Sequence, residues 1–187
     1  MRTVLQRYGA PVLLFLAALF ASYFGVSEPA GEDTPPSAAP STDHGTFYPV
    51  QYVIDGDTFV VLKDGHEETI RLIGIDTPEK AGPYTTQECF GTEATAEASR
   101  ILEGKRVRLE SDATQDTRDI YGRLLMYAFL EDGTFFNEHM LRAGYAHEYT
   151  FRGVAYQYQK EFREAEETAH AHALGLWASN ACTKSPT

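Results

Sequence analysis

Residues 55–79 read DGDTFVVLKDGHEETIRLIGIDTPE. Thr58 to Leu62 is a run of β-branched and aromatic residues, Lys63-Asp-Gly-His66 is a hairpin turn, and Glu67 to Ile75 is the return strand. With Asp64 and Gly65 as the turn pair, Lys63 lies opposite His66 and Thr58 opposite Arg71, with Asp57 diagonal to Arg71. Thr77-Pro78 ends the strand, because proline has no N–H to give a ladder. The hairpin therefore gathers Asp57, Arg71, Asp76 and Glu79 near its open end.

Outward from this hairpin the pattern stays mixed. Tyr48 to Ile54 reads as a preceding strand. Lys80 to Gly91 reads as a mobile loop, and Thr92 is placed to cap a helix running to about Leu102. Arg106 to Glu110 and Leu124 to Leu130 are a fourth and a fifth strand, the latter closed by a Glu131-Asp-Gly133 turn. Phe136 to Ala143 is a short helix stopped by Gly144. Ala155 to Leu174 carries apolar residues at alternating spacings of three and four, which predicts a long amphipathic helix, with Gly175-Leu-Trp177 closing it. Five strands with interspersed helices allow a small α+β barrel.

The first residues differ in kind. Met1 to Tyr8 carries Arg2 and Arg7, and Gly9 to Ser27 is apolar and uncharged. Residues 1–27 are expected to be a signal peptide or a membrane anchor with its basic end in the cytoplasm. No clean small-x-small cleavage site follows the run, which favours the anchor. Residues 28–46, rich in Pro, Ala, Ser and acids, are expected to be a disordered tether. Residues 47–178 form the expected folded domain, and 179–187 a tail. The domain is thus expected outside the cytoplasm, secreted or held at the cell envelope, and as a monomer.

Charge excludes one class. With Arg2 and Arg7 set aside, 14 Lys and Arg stand against 27 Asp and Glu, a net charge of −13. A protein that coats nucleic acid would be basic. Any nucleic-acid contact here must run through a few arginines and a metal ion, with weak, salt-sensitive capture. Two cysteines, Cys89 and Cys182, are expected to pair if the chain is exported, stabilising the fold by about 4.7 kcal/mol in a chain-entropy picture. No Cys-x-x-Cys is present, which argues against a zinc knuckle.

Asp57, Asp76 and Glu79 offer only oxygen, which favours Ca2+, with Mg2+ or Mn2+ as substitutes. Arg71 sits among Ile70, Leu72 and Ile73, where a lone charge is costly. It needs an anion, either Asp57 or Glu68 in a salt bridge, or a phosphate held by its fork. Arg123 follows a Tyr-Gly turn and either points into a cleft or pairs with Asp119. His139, His147, His170 and His172 show no partners or shared ligand geometry, and Trp177 reads as a plug at a helix end.

The motifs Asp55-Gly-Asp-Thr58, Arg71-Leu72, Asp76-Thr-Pro-Glu79 and Asp119-Ile-Tyr-Gly-Arg123 resemble the staphylococcal-nuclease-like (thermonuclease) family from about Tyr52 to Trp177. The resemblance implies a five-stranded OB-fold barrel with three α-helices. It implies a calcium-dependent endonuclease acting on DNA and RNA and leaving 3′-phosphates. Asp57, Asp76, Thr77 (through its carbonyl) and Glu79 fall at metal positions. Arg71, Glu79 and Arg123 fall at catalytic ones, Glu79 handling the attacking water. Tyr121, with Tyr149, is expected to meet substrate bases. Three positions depart from the family pattern. Ile120 stands where a basic residue is usual, Met126 where a small one is, and Phe59 where an aliphatic one is. The first weakens substrate capture; the other two concern packing. The competing readings are a non-catalytic OB-type nucleic-acid-binding module and an acidic cell-surface interaction domain.

Overall fold

The computed structural model describes residues 45–83 and 86–182. The N-terminal apolar segment, most of the tether and the end of the tail lie outside the described residues.

β1 (Phe47–Val53), β2 (Thr58–Lys63) and β3 (His66–Leu72) form an antiparallel meander. Asp64 and Gly65 both take positive φ, 53° and 81°, as the two-residue turn demands. The hairpin register is the expected one: Lys63 opposite His66, Thr58 opposite Arg71. β5 (Arg106–Glu110) pairs antiparallel with both β1 and β6 (Leu124–Leu130), while β6 runs parallel to β3. The order β1-β2-β3-β6-β5 closes on itself as a five-stranded barrel. Closure leaves these strands no free edge. Three α-helices cover it, giving the expected OB-type α+β architecture: α1 (Gly91–Leu102), α2 (Phe136–Arg142) and α3 (Gln159–Ala171).

The interior explains the closure. Phe59, Val61, Ile70, Leu72, Val107 and Tyr127 are buried inside the barrel cluster, with Phe136, Met140, Leu141 and Phe162 of the helices. Phe59 meets Phe136 edge-on at 6.5 Å, so its unusual bulk is absorbed by α2.

The structure corrects three boundaries. The return strand does not run unbroken to Ile75. It stops at Leu72, and a separate β4 (Ile75–Asp76) pairs with β7 (His147–Glu148). Gly74 causes the break. Its φ is +77°, and a Cβ there would lie 2.6 Å from the Tyr156 ring. The buried Asn137 amide bridges this point, donating to the Ile73 carbonyl (2.9 Å) and accepting from the Ala128 N–H (3.0 Å). α1 begins one residue before Thr92, at Gly91. Phe90 in left-handed geometry precedes it and no side chain caps it. α3 begins at Gln159, not Ala155. The Gln157 N–H is held by Asp112 (2.7 Å), and the Ala155 carbonyl by the Thr114 hydroxyl (2.9 Å), so this stretch cannot enter the helical ladder.

Candidate active site

Three turns deliver the site. Asp57 ends the Asp55-Gly-Asp turn that enters β2, and its N–H bonds to the Asp55 carboxylate at 3.2 Å. Gly56 is required there, because a Cβ would sit 2.8 Å from the Thr77 side chain. The Gly74 break aims Asp76 and Thr77 back toward Asp57. Thr77 donates both its N–H (2.9 Å) and its hydroxyl (3.1 Å) to Asp57 Oδ2.

Arg71 lies at the centre. Its guanidinium contacts Asp57 Oδ2 at 2.6 Å and Asp76 Oδ1 at 2.7 Å, and donates to the Ile75 carbonyl at 3.0 Å. The Arg71 and Asp57 side chains are 14% and 7% exposed, so little water screens the pair. Of the two salt-bridge partners considered for Arg71, Asp57 is one. The other, Glu68, is taken by Arg118 at 2.9 Å.

Arg123 joins through Thr58. Its Nη1 reaches Thr58 Oγ1 at 3.3 Å, and Thr58 donates to Asp57 Oδ1 at 2.9 Å. Its Nε is paired with Asp119 at 2.6 Å. Asp119 Oδ1 also accepts the Tyr121 and Arg123 N–H groups, which shapes the turn that presents them. Tyr121 is 78% exposed, with its ring 5.5 Å from the Arg123 guanidinium. Its neighbour Ile120 is 87% exposed.

The acids strain against one another. Burial and the nearby Asp57 push Asp55 up to about 7. Burial raises Asp76 as well, with Asp57 adding to it and Arg71 opposing. Partial desolvation, then Asp57 and Asp76, raise Glu79 above the usual carboxylate range. Such a group favours a proton or a cation. The donors are all oxygen, as a hard divalent ion prefers. Among the described residues, no three carboxylates stand as a ready-made metal cage. Asp57 and Asp76 are instead bridged by Arg71.

The structure thus brings Asp57, Arg71, Asp76, Thr77 and Arg123 into one bonded network, with Glu79 within electrostatic reach and Tyr121 at its rim. Tyr149 is 43% exposed and follows the β7 strand that pairs with Asp76. Its N–H bonds the Gly74 carbonyl, and its ring lies 6.3 Å from that of Phe151. Two members escaped sequence reasoning, Thr58 as the bridge and Asp55 as the support of Asp57. Both belong to the same four-residue motif, and the hairpin register already set Thr58 opposite Arg71. The histidines are not all idle: His139 bonds Glu97 at 2.8 Å, and His147 lies 3.4 Å from Glu166, against the Trp177 ring.

The family model for staphylococcal nuclease homologues matches residues 69–179, a span containing Arg71, Asp76, Thr77, Glu79 and Arg123. The chain belongs to the staphylococcal nuclease family. Within this family it is 37% identical over 143 residues to the thermonuclease of Staphylococcus hyicus, covering 76% of this chain and 82% of that one. It is 38% identical over 138 residues to the thermonuclease of Staphylococcus intermedius, covering 73% and 80%. Endonuclease YncB of Bacillus subtilis (strain 168) is 33% identical over 133 residues, 68% of this chain and 59% of its own.

Proposed function

We propose that this chain is a calcium-dependent endonuclease that hydrolyses phosphodiester bonds of DNA and RNA, leaves 3′-phosphates, and works exported or tethered to the membrane. It is a phosphodiester hydrolase. The observation that carries the reading is the single carboxylate of Asp57 lying between two arginines, bonded to Arg71 directly and to Arg123 through Thr58. Thermonuclease and endonuclease relatives support it.

Asp57, Asp76, Glu79 and the Thr77 carbonyl would hold Ca2+. When bound, the ion supplies Lewis-acid polarisation of a phosphate oxygen. The chain's own groups do the rest. Arg71 and Arg123 bind the non-bridging oxygens, and their hold tightens as charge builds at phosphorus. Glu79 orients a water opposite the 5′-oxygen and accepts its proton. The new bond joins water oxygen to phosphorus, the P–O5′ bond breaks, and the 5′-oxygen takes a proton from solvent water as it leaves. Tyr121 offers a stacking face beside Arg123. Export is supported by the Cys89–Cys182 disulfide, a bond that persists in oxidising compartments.

The test is cleavage of plasmid DNA and of RNA by pure protein with calcium, then with chelator, alongside Glu79→Gln. Calcium-dependent nicking abolished in the variant is the expected result. Cleavage that survives chelation removes the metal, cleavage by Glu79→Gln removes that residue, and binding without cleavage identifies a binding module.

A further inference from the structure

Glu79 stands at one side of a loop neck, and Glu88 stands at the other. The Glu79 N–H donates to the Glu88 carboxylate at 3.0 Å, and the Glu88 N–H returns a bond to the Glu79 carbonyl at 2.8 Å. Gly91 completes the neck. A Cβ on it would fall 2.1 Å from the Glu79 carbonyl oxygen, so the two backbones touch. Between Glu88 and Gly91 lies Cys89, bonded to Cys182 across 93 residues of sequence.

Cys182 belongs to a stretch that is itself anchored. Leu176 donates to the Gly144 carbonyl at 2.8 Å, and a Cβ on Gly144 would meet the Leu174 carbonyl at 2.4 Å. The chain after α3 is therefore seated on the end of α2. Next to the disulfide, Phe90 lies on Tyr145 with ring centres 5.5 Å apart, tying the neck to the same region. Glu79 and Glu88 are both exposed, so water competes for their two hydrogen bonds. Two such bonds are worth only about 1 kcal/mol each. The covalent link is the one bond among the described residues of the neck that water cannot replace, and it reinforces the Phe90–Tyr145 packing.

We propose that the Cys89–Cys182 disulfide is a positioning brace for Glu79, so that hydrolysis is fast in the oxidised protein and slow once a dithiol opens the bond. A dithiol reductant opens the bond by thiol–disulfide exchange. Its two thiols give up two electrons and two protons, the S–S bond breaks, Cys89 and Cys182 become thiols, and the reductant closes to its own disulfide. The active site and the redox state of the compartment are then linked through three consecutive elements: Cys89, the Glu88 bonds and Glu79. The inference rests on the assignment of Glu79 to the attacking water.

The experiment compares the oxidised full chain with Cys89→Ser/Cys182→Ser, measuring kcat and KM on plasmid DNA with calcium at a temperature where denaturant melting shows both folded. The expected loss is roughly 10–100-fold in kcat with KM within about 2-fold, as a misplaced group produces. Glu88→Ala should show the same split, and Glu88→Gln should retain kcat, because its amide oxygen still accepts from the Glu79 N–H. Dithiothreitol treatment of the wild type, followed by reoxidation with glutathione disulfide, reads the same quantity if the double variant does not fold. A lowered melting temperature with kcat unchanged overturns the brace while leaving Glu79 in place. Full activity in Glu79→Gln overturns the underlying assignment instead.

Discussion

Arg71→Ala separates the two jobs that this side chain combines. In the free protein it neutralises Asp57 and Asp76, at 2.6 and 2.7 Å. Breaking a buried ion pair by removing one partner costs about 3–5 kcal/mol. Asp57 keeps three donors, the hydroxyls of Thr58 and Thr77 and the Thr77 N–H, which softens the loss. We expect the metal-free variant to be less stable by roughly 2–4 kcal/mol in guanidinium denaturation. Calcium should restore more stability to the variant than it adds to the wild type, since it replaces the missing positive charge. Cleavage should fall at least ~100–1,000-fold even where calcium keeps the variant folded, because a phosphate donor is gone. Arg118→Ala is the control. Its pair with Glu68 has side chains 44% and 27% exposed, so water screens it and its loss should leave both stability and rate essentially unchanged. A variant at position 71 that matches the control in both assays would refute the electrostatic account of the site.

Asp119→Asn keeps an oxygen to accept the Tyr121 and Arg123 N–H groups but releases Arg123 from a carboxylate that its bonds hold below the usual range, against the opposing pull of burial. KM for DNA at low salt should fall several-fold, on the order of 3–10, and an unchanged KM would show that the pair does not compete with phosphate. Tyr127→Phe removes the 2.6 Å bond to the buried Asp112, so melting should show a loss of about 1.5–3 kcal/mol with kcat untouched. Glu97 is held down to about 2, chiefly by its hydrogen bond from Arg100 and then by His139, with burial opposing. Its stabilisation is full above the ordinary glutamate range and is lost as pH falls toward 2. Glu97→Gln should flatten the acid limb of a stability–pH curve, and an unchanged limb would exclude this carboxylate as its source.

The hairpin register could be derived from residues 55–79 because a two-residue turn fixes pairing locally, and the burial of one face forbids a slip. Asp57, Asp76 and Glu79 were visible for a related reason: each lies at a strand end or turn, where backbone geometry follows from neighbouring residues. Contacts made by long-range partners were not visible. Nothing in a four-residue motif says that Thr58 Oγ1 bridges Asp57 and Arg123, since Thr58 and Arg123 are 65 residues apart. Periodicity alone extended α3 back to Ala155. Asp112, far away in sequence, overrides it by taking the Gln157 N–H. Glu88 carries no motif at all, and its two bonds to Glu79 emerge only once the loop folds back on itself.

An acidic protein that grips a polyanion looks self-defeating until its arginines are followed individually. Arg71 is bonded to Asp57 and Asp76, and Arg123 to Asp119. Each guanidinium of the site is therefore oriented before substrate arrives, and the entropy of fixing it is met during folding. The same partners make phosphate binding an exchange of one anion for another, so the ground-state gain is small. In the transition state the phosphoryl oxygens carry more charge than a carboxylate offers, and the exchange then becomes favourable. On the proposed mechanism this one arrangement would give weak capture and strong transition-state binding, the distribution that raises kcat instead of merely lowering KM. A basic surface would have done the reverse, binding substrate and transition state alike. The net charge of −13 carried from Glu28 onward is consistent with catalysis because the clamps are few, local and already paired.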